Sequence, residues 1–490
     1  MTLRGTKNAP VLLLQCCGWS IKRFSSTNVS STSVFIEKRR ANASEFFEWA
    51  HNCPGITQRK VKPFVSRQCG GYGLQAAKDI KKGEVILAVG QDVWQPYDTA
   101  YAREQLKSEE NQELSRTIEH DLYQQIAPYN VDMANAYVNI ASLALLLQSK
   151  LEDHKNVPSY LKFILDSVKY RSPPPTYLMN DEWMSCLNGT ICGGGIKLRR
   201  DMFHEIADKT FTKPDEVKML ASAVITRGIN DDESPFTLVP YLDLVNHNKY
   251  ENVKRRFLPN GTFELYSVGD ILEGEEVFTN YAEKTGTNFL IYQHGFMQEG
   301  NDHDTIAVGV NMRHPTVEMG KEDEWRNKIA PVVEGKMYFE LPIEKMHQIS
   351  RSDWEKYGAA IADVNQGKVD PKALESSGVM ELVSNILNIA RCAICKDEEE
   401  YINFPSFEEE NAVGNLLDAI KENITQLKLH EKKIVDNSGD MSKPTVEWQR
   451  MCNTVRSREL TTYSMFFRSM MYYGAAYKQN LEENEKKTKS

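Results

Sequence analysis

The spacing of apolar positions changes period along this chain, and each change marks a boundary. Residues 44–56 place Phe46, Phe47 and Trp49 on one face, which predicts a short amphipathic helix. Residues 62–92 then read at the two-residue period of strands. Val61–Val65, Leu74–Ala77 and Glu84–Val89 are predicted strands, Gly70–Gly73 a tight turn, and Lys81–Gly83 a hairpin turn. From about 98 to 235 the period becomes helical. Leu122–Leu147 reads as a buried helix and Tyr160–Leu165 as another, with a breaker at Pro173-Pro-Pro175. Gly193-Gly-Gly195 lacks the Gly-Lys-Ser/Thr ending of a phosphate loop and is expected to be a flexible turn. Strand character returns at Val239–His247, Thr262–Val268 and Glu276–Tyr281, with Asn260-Gly261 a hairpin signal after Lys254–Leu258. A helix is predicted over 284–296. Beyond about 310 the chain reads as helical, with Val413, Leu416, Leu417, Ile420, Ile424 and Leu427 on one face. The pattern predicts an α+β fold of short strands interrupted by a large helical insert, followed by an all-α C-terminal domain.

One stretch breaks its own pattern. Val239, Leu242, Leu244 and Val245 are apolar, yet Asp243, Asn246 and His247 stand among them. A buried polar group without a partner costs roughly 1–3 kcal/mol, so these three require partners. A satisfied polar network at a strand end is the plain reading of an isolated Asn-His pair.

Composition sets further bounds. The 490 residues are 41% hydrophobic and 26% charged, ordinary values for a globular chain long enough for two or three domains. No apolar run approaches the ~18 residues of a membrane span, so no membrane partner is expected. Nine scattered cysteines argue for reduced thiols in an intracellular compartment. The first forty residues carry seven Lys/Arg against the single acid Glu37, with ten Ser/Thr. That is the composition of an organellar transit peptide. A mitochondrial address is the leading expectation, with plastid import or a cytoplasmic disordered tail as alternatives. With residues 1–40 set aside, the net charge of −9 becomes about −15. Such a body does not suit a nucleic-acid binder, which works by neutralising phosphates; a basic protein surface is the more natural partner.

Four segments in order carry a resemblance. They are Gly70-Gly-Tyr-Gly73, Asp79-Ile-Lys-Lys-Gly-Glu84, Asn246-His247 and Gly274-Glu-Glu-Val-Phe-Thr-Asn-Tyr281. Together they resemble the SET-domain methyltransferases, closest to the branch that methylates non-histone proteins, typified by the Rubisco large-subunit lysine methyltransferase. Phe46-x-x-Trp49, Pro158-Ser-Tyr-Leu161, Leu187-Asn-Gly-Thr190 and Arg456-Ser-Arg-Glu-Leu460 are similar to further segments of that branch. The resemblance implies a SET domain over 41–300, with its helical insert at about 98–235. A helical substrate-binding domain over 310–480 would follow.

It also implies the cofactor S-adenosyl-L-methionine and a protein substrate presenting a lysine, with histidine as the alternative acceptor. A non-catalytic SET-fold binding protein is the second alternative, and a monomer is expected. Gly70, Gly71, Tyr72, Gly73, Arg227, Asp243, Asn246 and His247 would hold the cofactor. Tyr281 would also touch it and align the attacking amine. Arg227 suits the cofactor's carboxylate, and the glycines would let the main chain approach. Phe278, Tyr281, Phe289 and Phe296 are candidate channel walls. No zinc is expected, because no cysteine lies between Cys192 and Cys392, and Cys392-Ala-Ile-Cys395 reads as structural thiols. The chain departs from the branch at His294, where many members carry a second tyrosine; Tyr292 is the neighbouring substitute.

Overall fold

The computed structural model describes Val29–Lys489, apart from residues 58, 67–70, 108–114, 127–130, 153–155, 170, 172, 230–235, 282–284, 315–323, 331, 334–335, 366–377, 405–407, 432 and 436–442. Two units divide the chain. The first comprises Met1–Ser108, Leu146–Asp166 and Arg227–Tyr281; the second comprises Glu109–Leu145, Ser167–Thr226 and Ala282–Ser490.

The first unit is built on three small sheets. A four-stranded antiparallel sheet runs in the order Ile56–Thr57, Val85–Val89, Phe263–Ser267, Val253–Phe257. Its inward side chains, among them Ile56, Leu87, Val89, Phe263 and Leu265, are all but inaccessible to solvent. The hairpin from Val253–Phe257 to Phe263–Ser267 turns at Asn260-Gly261 as expected, with Gly261 at φ +77°. Val61–Val65 pairs with Tyr72–Ala76 in a separate two-stranded sheet, so Tyr72 and Gly73 lie in a strand rather than in the expected turn. Residues Leu74–Ala76 and Val85–Val89 therefore do not form a hairpin with each other; Lys82-Gly83 is a turn that carries the chain from one sheet to another.

That turn has a counterpart. Asp79-Ile-Lys-Lys-Gly-Glu84 and Asp270-Ile-Leu-Glu-Gly-Glu275 share a pattern, and they meet as an antiparallel pair. Ile80 N donates to Ile271 O at 2.8 Å and Ile271 N to Ile80 O at 2.9 Å. Each aspartate then caps the other's turn: Lys82 N donates to Asp270 Oδ1 and Glu273 N to Asp79 Oδ1, both at 2.9 Å. The two turns close on Gly83 and Gly274, at φ +85° and +86°, where any other residue is strained.

Several expected elements change length. The N-terminal helix is Val29–Asn52, starting earlier and ending sooner than the predicted 44–56, and it buries Phe46 against Phe163 and Tyr160. The long buried helix is Val131–Glu152, starting later than Leu122; Tyr160–Leu165 extends to Ser159–Lys169. Val239–His247 is mostly not strand: Leu242–Leu244 forms a single 3-10 turn after Tyr241 at φ +75°. Only Asn246–His247 is extended, and it pairs in parallel with Phe278–Thr279. The stretch thus delivers its polar side chains from a turn, where alternation does not apply.

In the second unit the helix predicted over 284–296 is shorter, Thr287–His294, and it ends on Gly295 in the left-handed region. Gly193-Gly-Gly195 is a correction, for these residues lie in the first turn of the helix Ile191–Thr210, whose cap Thr190 accepts from Gly193 N at 3.1 Å. The C-terminal region is largely helical but not all-α. Thr305–Asn311, Val332–Val333 and Lys336–Pro342 form a three-stranded antiparallel sheet. Its apolar face, Ile306, Val308, Val310, Met337 and Leu341, belongs to the same core as Leu416 and Ile420 of the helix Glu409–Leu429. Cys392 and Cys395 are buried free thiols within and just beyond the helix Gly378–Ile394. The acidic triplets Glu398–Glu400 and Glu408–Glu410 read in the sequence as solvated loop charges, yet Glu398–Glu400 opens a short helix and Glu409 is wholly buried between Arg391 (2.7 Å) and the Tyr473 hydroxyl (2.7 Å). Glu409 is therefore a structural anchor and not a solvated charge. Among the described residues, no helix is long and apolar enough to cross a membrane.

Candidate active site

The polar residues that broke the apolar pattern of residues 239–247 all find partners within the first unit. The side chain of Asp243, on the turn Leu242–Leu244, is inaccessible to solvent. Its Oδ2 accepts from Arg227 Nη1 at 3.1 Å and from the Tyr160 hydroxyl at 2.9 Å. Burial raises its carboxyl above the ordinary range, and the Arg227 cation and the Tyr160 hydroxyl only partly offset this. Among the described residues, Asp243 Oδ1 is buried without a hydrogen-bond partner. Arg227, at the end of the helix Pro214–Arg227, is also stacked over Phe163 at 5.3 Å.

Asn246 Nδ2 donates to Glu276 Oε1 at 2.7 Å and, more weakly, to Tyr72 O at 3.4 Å. The Tyr72 ring lies beside Phe47 and Phe163, with centroids 5.2 and 5.7 Å away. His247 Nδ1 accepts from Tyr281 N at 2.9 Å, so the neutral imidazole carries its proton on Nε2. The two rings sit 5.3 Å apart, and the Tyr281 hydroxyl donates to Val245 O. Parallel pairing of Asn246–His247 with Phe278–Thr279 is what sets Tyr281 against the Asn-His pair.

Residues 71–282 match the family model described as SET domain. The chain carries a SET domain. Across the solved structures, Rubisco LSMT bound to AdoMet is similar at 14% identity, covering 90% of this chain and 92% of that one, with a TM-score of 0.54. The SET domain of LSMT bound to lysine and AdoHcy matches at 14% identity over 91% and 92%, with a TM-score of 0.54. Rubisco LSMT bound to sinefungin and monomethyllysine matches at 14% identity over 89% and 93%, with a TM-score of 0.56. At that identity the likeness establishes a shared fold. A comparison with curated proteins found no match.

The expected site residues are largely brought together in this SET domain. Gly71, Tyr72, Gly73, Arg227, Asp243, Asn246, His247 and Tyr281 all belong to the first unit. Gly70 lies outside the described residues. Phe289 and Phe296, expected as channel walls, belong to the second unit; Phe278 belongs to the first. Within the second unit the Tyr292 hydroxyl bonds the Tyr177 hydroxyl, which in turn meets that of Tyr137, and Arg199 lies over the Tyr292 ring at 4.6 Å.

The two glycines of the strand entry differ in their reason for being glycine. Among the described residues, a Cβ on Gly71 would meet nothing within 4 Å, so the main chain is open there. A Cβ on Gly73 would come within 2.6 Å of Asn246 Nδ2 and 2.7 Å of Glu276 Oε1. Gly73 therefore makes room for the Asn246–Glu276 side-chain pair. Sequence reasoning missed four members of the site, Ser66, Tyr160, Phe163 and Glu276. Glu276 and Tyr160 stood inside two of the resembling segments, Gly274–Tyr281 and Pro158–Leu161; Ser66 and Phe163 carried no signal, because their partners are far away in the chain.

These residues fit S-adenosylmethionine. The space beside Gly71, the cationic Arg227, the buried Asp243 Oδ1 and the aromatic faces around Tyr72 together offer contacts for a carboxylate, an ammonium and an adenine.

Proposed function

We propose that this chain is an S-adenosylmethionine-dependent protein-lysine N-methyltransferase acting on a non-histone protein. The observation that carries the reading is the assembly of Arg227, Asp243, Asn246, His247 and Tyr281 within the SET domain's first unit, beside the open main chain at Gly71. The solved SET structures it resembles are described with AdoMet, AdoHcy, lysine and methyllysine, which supports both the cofactor and the acceptor.

When bound, S-adenosylmethionine supplies an electrophilic methyl group on a sulfonium. Arg227, held by Asp243 and Phe163, binds the carboxylate end by charge-assisted hydrogen bonds. Asn246 and Tyr72 provide amide and backbone groups along the same wall. Tyr281, tied through its backbone to His247 and through its hydroxyl to Val245 O, orients the acceptor amine for in-line attack. A lysine of pKa about 10.4 must lose its proton, which at pH 7 costs about 4.6 kcal/mol. The apolar faces of Phe278 and Tyr281 lower that cost by disfavouring the ammonium.

The protein substrate is read as basic, matching the acidic body of the chain. The helical region over 310–480 is read as the part that holds it. A mitochondrial address is proposed from the basic, Ser/Thr-rich first forty residues.

The test is to incubate the purified chain with methyl-labelled cofactor and a mitochondrial extract, then hydrolyse the labelled band. Methyllysine is the expected product, whereas methylhistidine would shift the reading to the histidine acceptor. If calorimetry detects no cofactor binding and no label transfers, the chain is a non-catalytic SET-fold binding protein.

A further inference from the structure

Glu276 is absent from the set of residues expected to act, yet the cradle is tied together through it. Its backbone is held on both sides. Val277 N donates to Leu74 O at 2.9 Å, and the Asn252 side chain brackets the segment, donating to Glu276 O at 2.9 Å and accepting from Phe278 N at 2.7 Å. From this fixed point the carboxylate reaches two elements at once. Oε1 accepts from Asn246 Nδ2 at 2.7 Å, and Oε2 accepts from Ser66 Oγ at 2.8 Å. Ser66, itself inaccessible to solvent, donates its backbone N–H to Gly71 O at 2.8 Å. One carboxylate therefore links the Asn246 amide to the base of the glycine segment, and the pair passes over Gly73, where no Cβ would fit.

We infer that Glu276 is the positioning residue of the cofactor cradle: it fixes which way the Asn246 amide faces and holds it in register with the main chain at Gly71. An amide is nearly symmetric in shape, so its orientation is set by its partners. With Nδ2 committed to Glu276 and Tyr72 O, the Asn246 carbonyl oxygen is the group left to accept from a ligand's ammonium. Burial lifts the Glu276 carboxyl above the ordinary range, while the Asn246 and Ser66 hydrogen bonds pull it back. The inference rests on the reading of this site as a cofactor site.

The experiment compares Glu276→Ala, Glu276→Gln and the double variant Ser66→Ala/Glu276→Gln in the full chain. S-adenosylmethionine binding is measured by calorimetry, and KM is measured separately for cofactor and protein substrate. Glu276→Ala should weaken cofactor binding by about tenfold to a hundredfold, as expected for losing a hydrogen bond to a charged acceptor. Its KM for protein substrate should stay within about threefold. Glu276→Gln should rescue most of the affinity, because its amide oxygen still accepts from Asn246 while its NH2 donates to a rotated Ser66 hydroxyl. The double variant removes that reference and should bind about as weakly as Glu276→Ala. If Glu276→Ala does not fold, the contrast between Glu276→Gln and the double variant decides. Cofactor binding by Glu276→Ala equal to wild type would overturn the inference, as would a Gln variant no better than Ala, equal affinity of the single and double Gln variants, or a matched rise in both KM values. A wild-type chain that fails to bind S-adenosylmethionine sinks the proposed function itself, and with it this role.

Discussion

Glu459→Gln should make the second unit more stable at pH 8 than the wild-type chain and remove most of its pH dependence. Glu459 lies on the helix Val446–Lys489, is 4% exposed, and aims both carboxylate oxygens at Ile191 N, at 3.2 and 3.3 Å. It therefore stands at the N-terminus of the helix Ile191–Thr210, the place where a phosphate loop would hold its anion. Burial nonetheless dominates: it pushes the carboxyl from 4.5 up to about 8, against the pull of Ile191 N and Arg456. Below pH 4.5 the group is protonated in both native and unfolded chains, and its contribution is fully present. Between 4.5 and about 8 the native state keeps a proton that the unfolded chain has released, so stability falls as pH rises. The slope is about 1.4 kcal/mol per pH unit and the total about 4–5 kcal/mol. Glutamine cannot ionise, and its carbonyl oxygen still accepts from Ile191 N. Urea unfolding at several pH values, followed by tryptophan fluorescence, reads this directly, since Trp183 and Trp448 are buried in a core adjoining the site. The two chains should be equally stable near pH 5, and the variant should gain progressively toward pH 8. A stability difference that does not change over that range would refute the reasoning, because it would mean that Glu459 is ionised throughout.

Tyr281→Phe should lose most methyl transfer, by about a hundredfold or more, while cofactor affinity stays within a few-fold, because the hydroxyl acts on the transition state more than on ground-state binding; unchanged turnover would end that assignment. His247→Ala should weaken cofactor binding and lower stability by about 1–3 kcal/mol, through loss of the acceptor for Tyr281 N, as read by calorimetry and urea unfolding. Deleting residues 1–28, which stops short of the helix Val29–Asn52, should preserve activity and move the protein to the cytosol; fluorescence microscopy of the active truncation remaining in mitochondria would show that the address lies elsewhere. Charge reversal at Glu398, Glu399 and Glu410 should raise KM for the protein substrate and leave that for cofactor unchanged. Glu409→Ala should instead cost about 3–5 kcal/mol of stability in unfolding experiments, since it strands the Arg391 cation in the core.

The order of segments, the α+β class and most of the candidate site residues were legible in the sequence. Local chemistry settles these: turns need glycine, asparagine and aspartate at set places, and a helical face such as Val413–Leu427 repeats at its own period. Asp243, Asn246 and His247 were visible because polar groups in an apolar run demand partners. The identity of those partners was not visible. Asp243 meets Tyr160 and Arg227, and Asn246 meets Glu276, across separations that no local pattern encodes. Burial was equally hidden. Glu408-Glu-Glu410 reads as three equivalent charges, yet packing encloses Glu409 in the core, and Glu459 is likewise enclosed within a polar helical stretch. Tertiary structure also decided what the glycines do, leaving Gly71 beside open space, Gly73 beneath the Asn246–Glu276 pair, and Gly193–Gly195 inside a helix. Sequence records which residue stands where along the chain, whereas desolvation, pairing and room for a Cβ depend on what folding brings across from elsewhere.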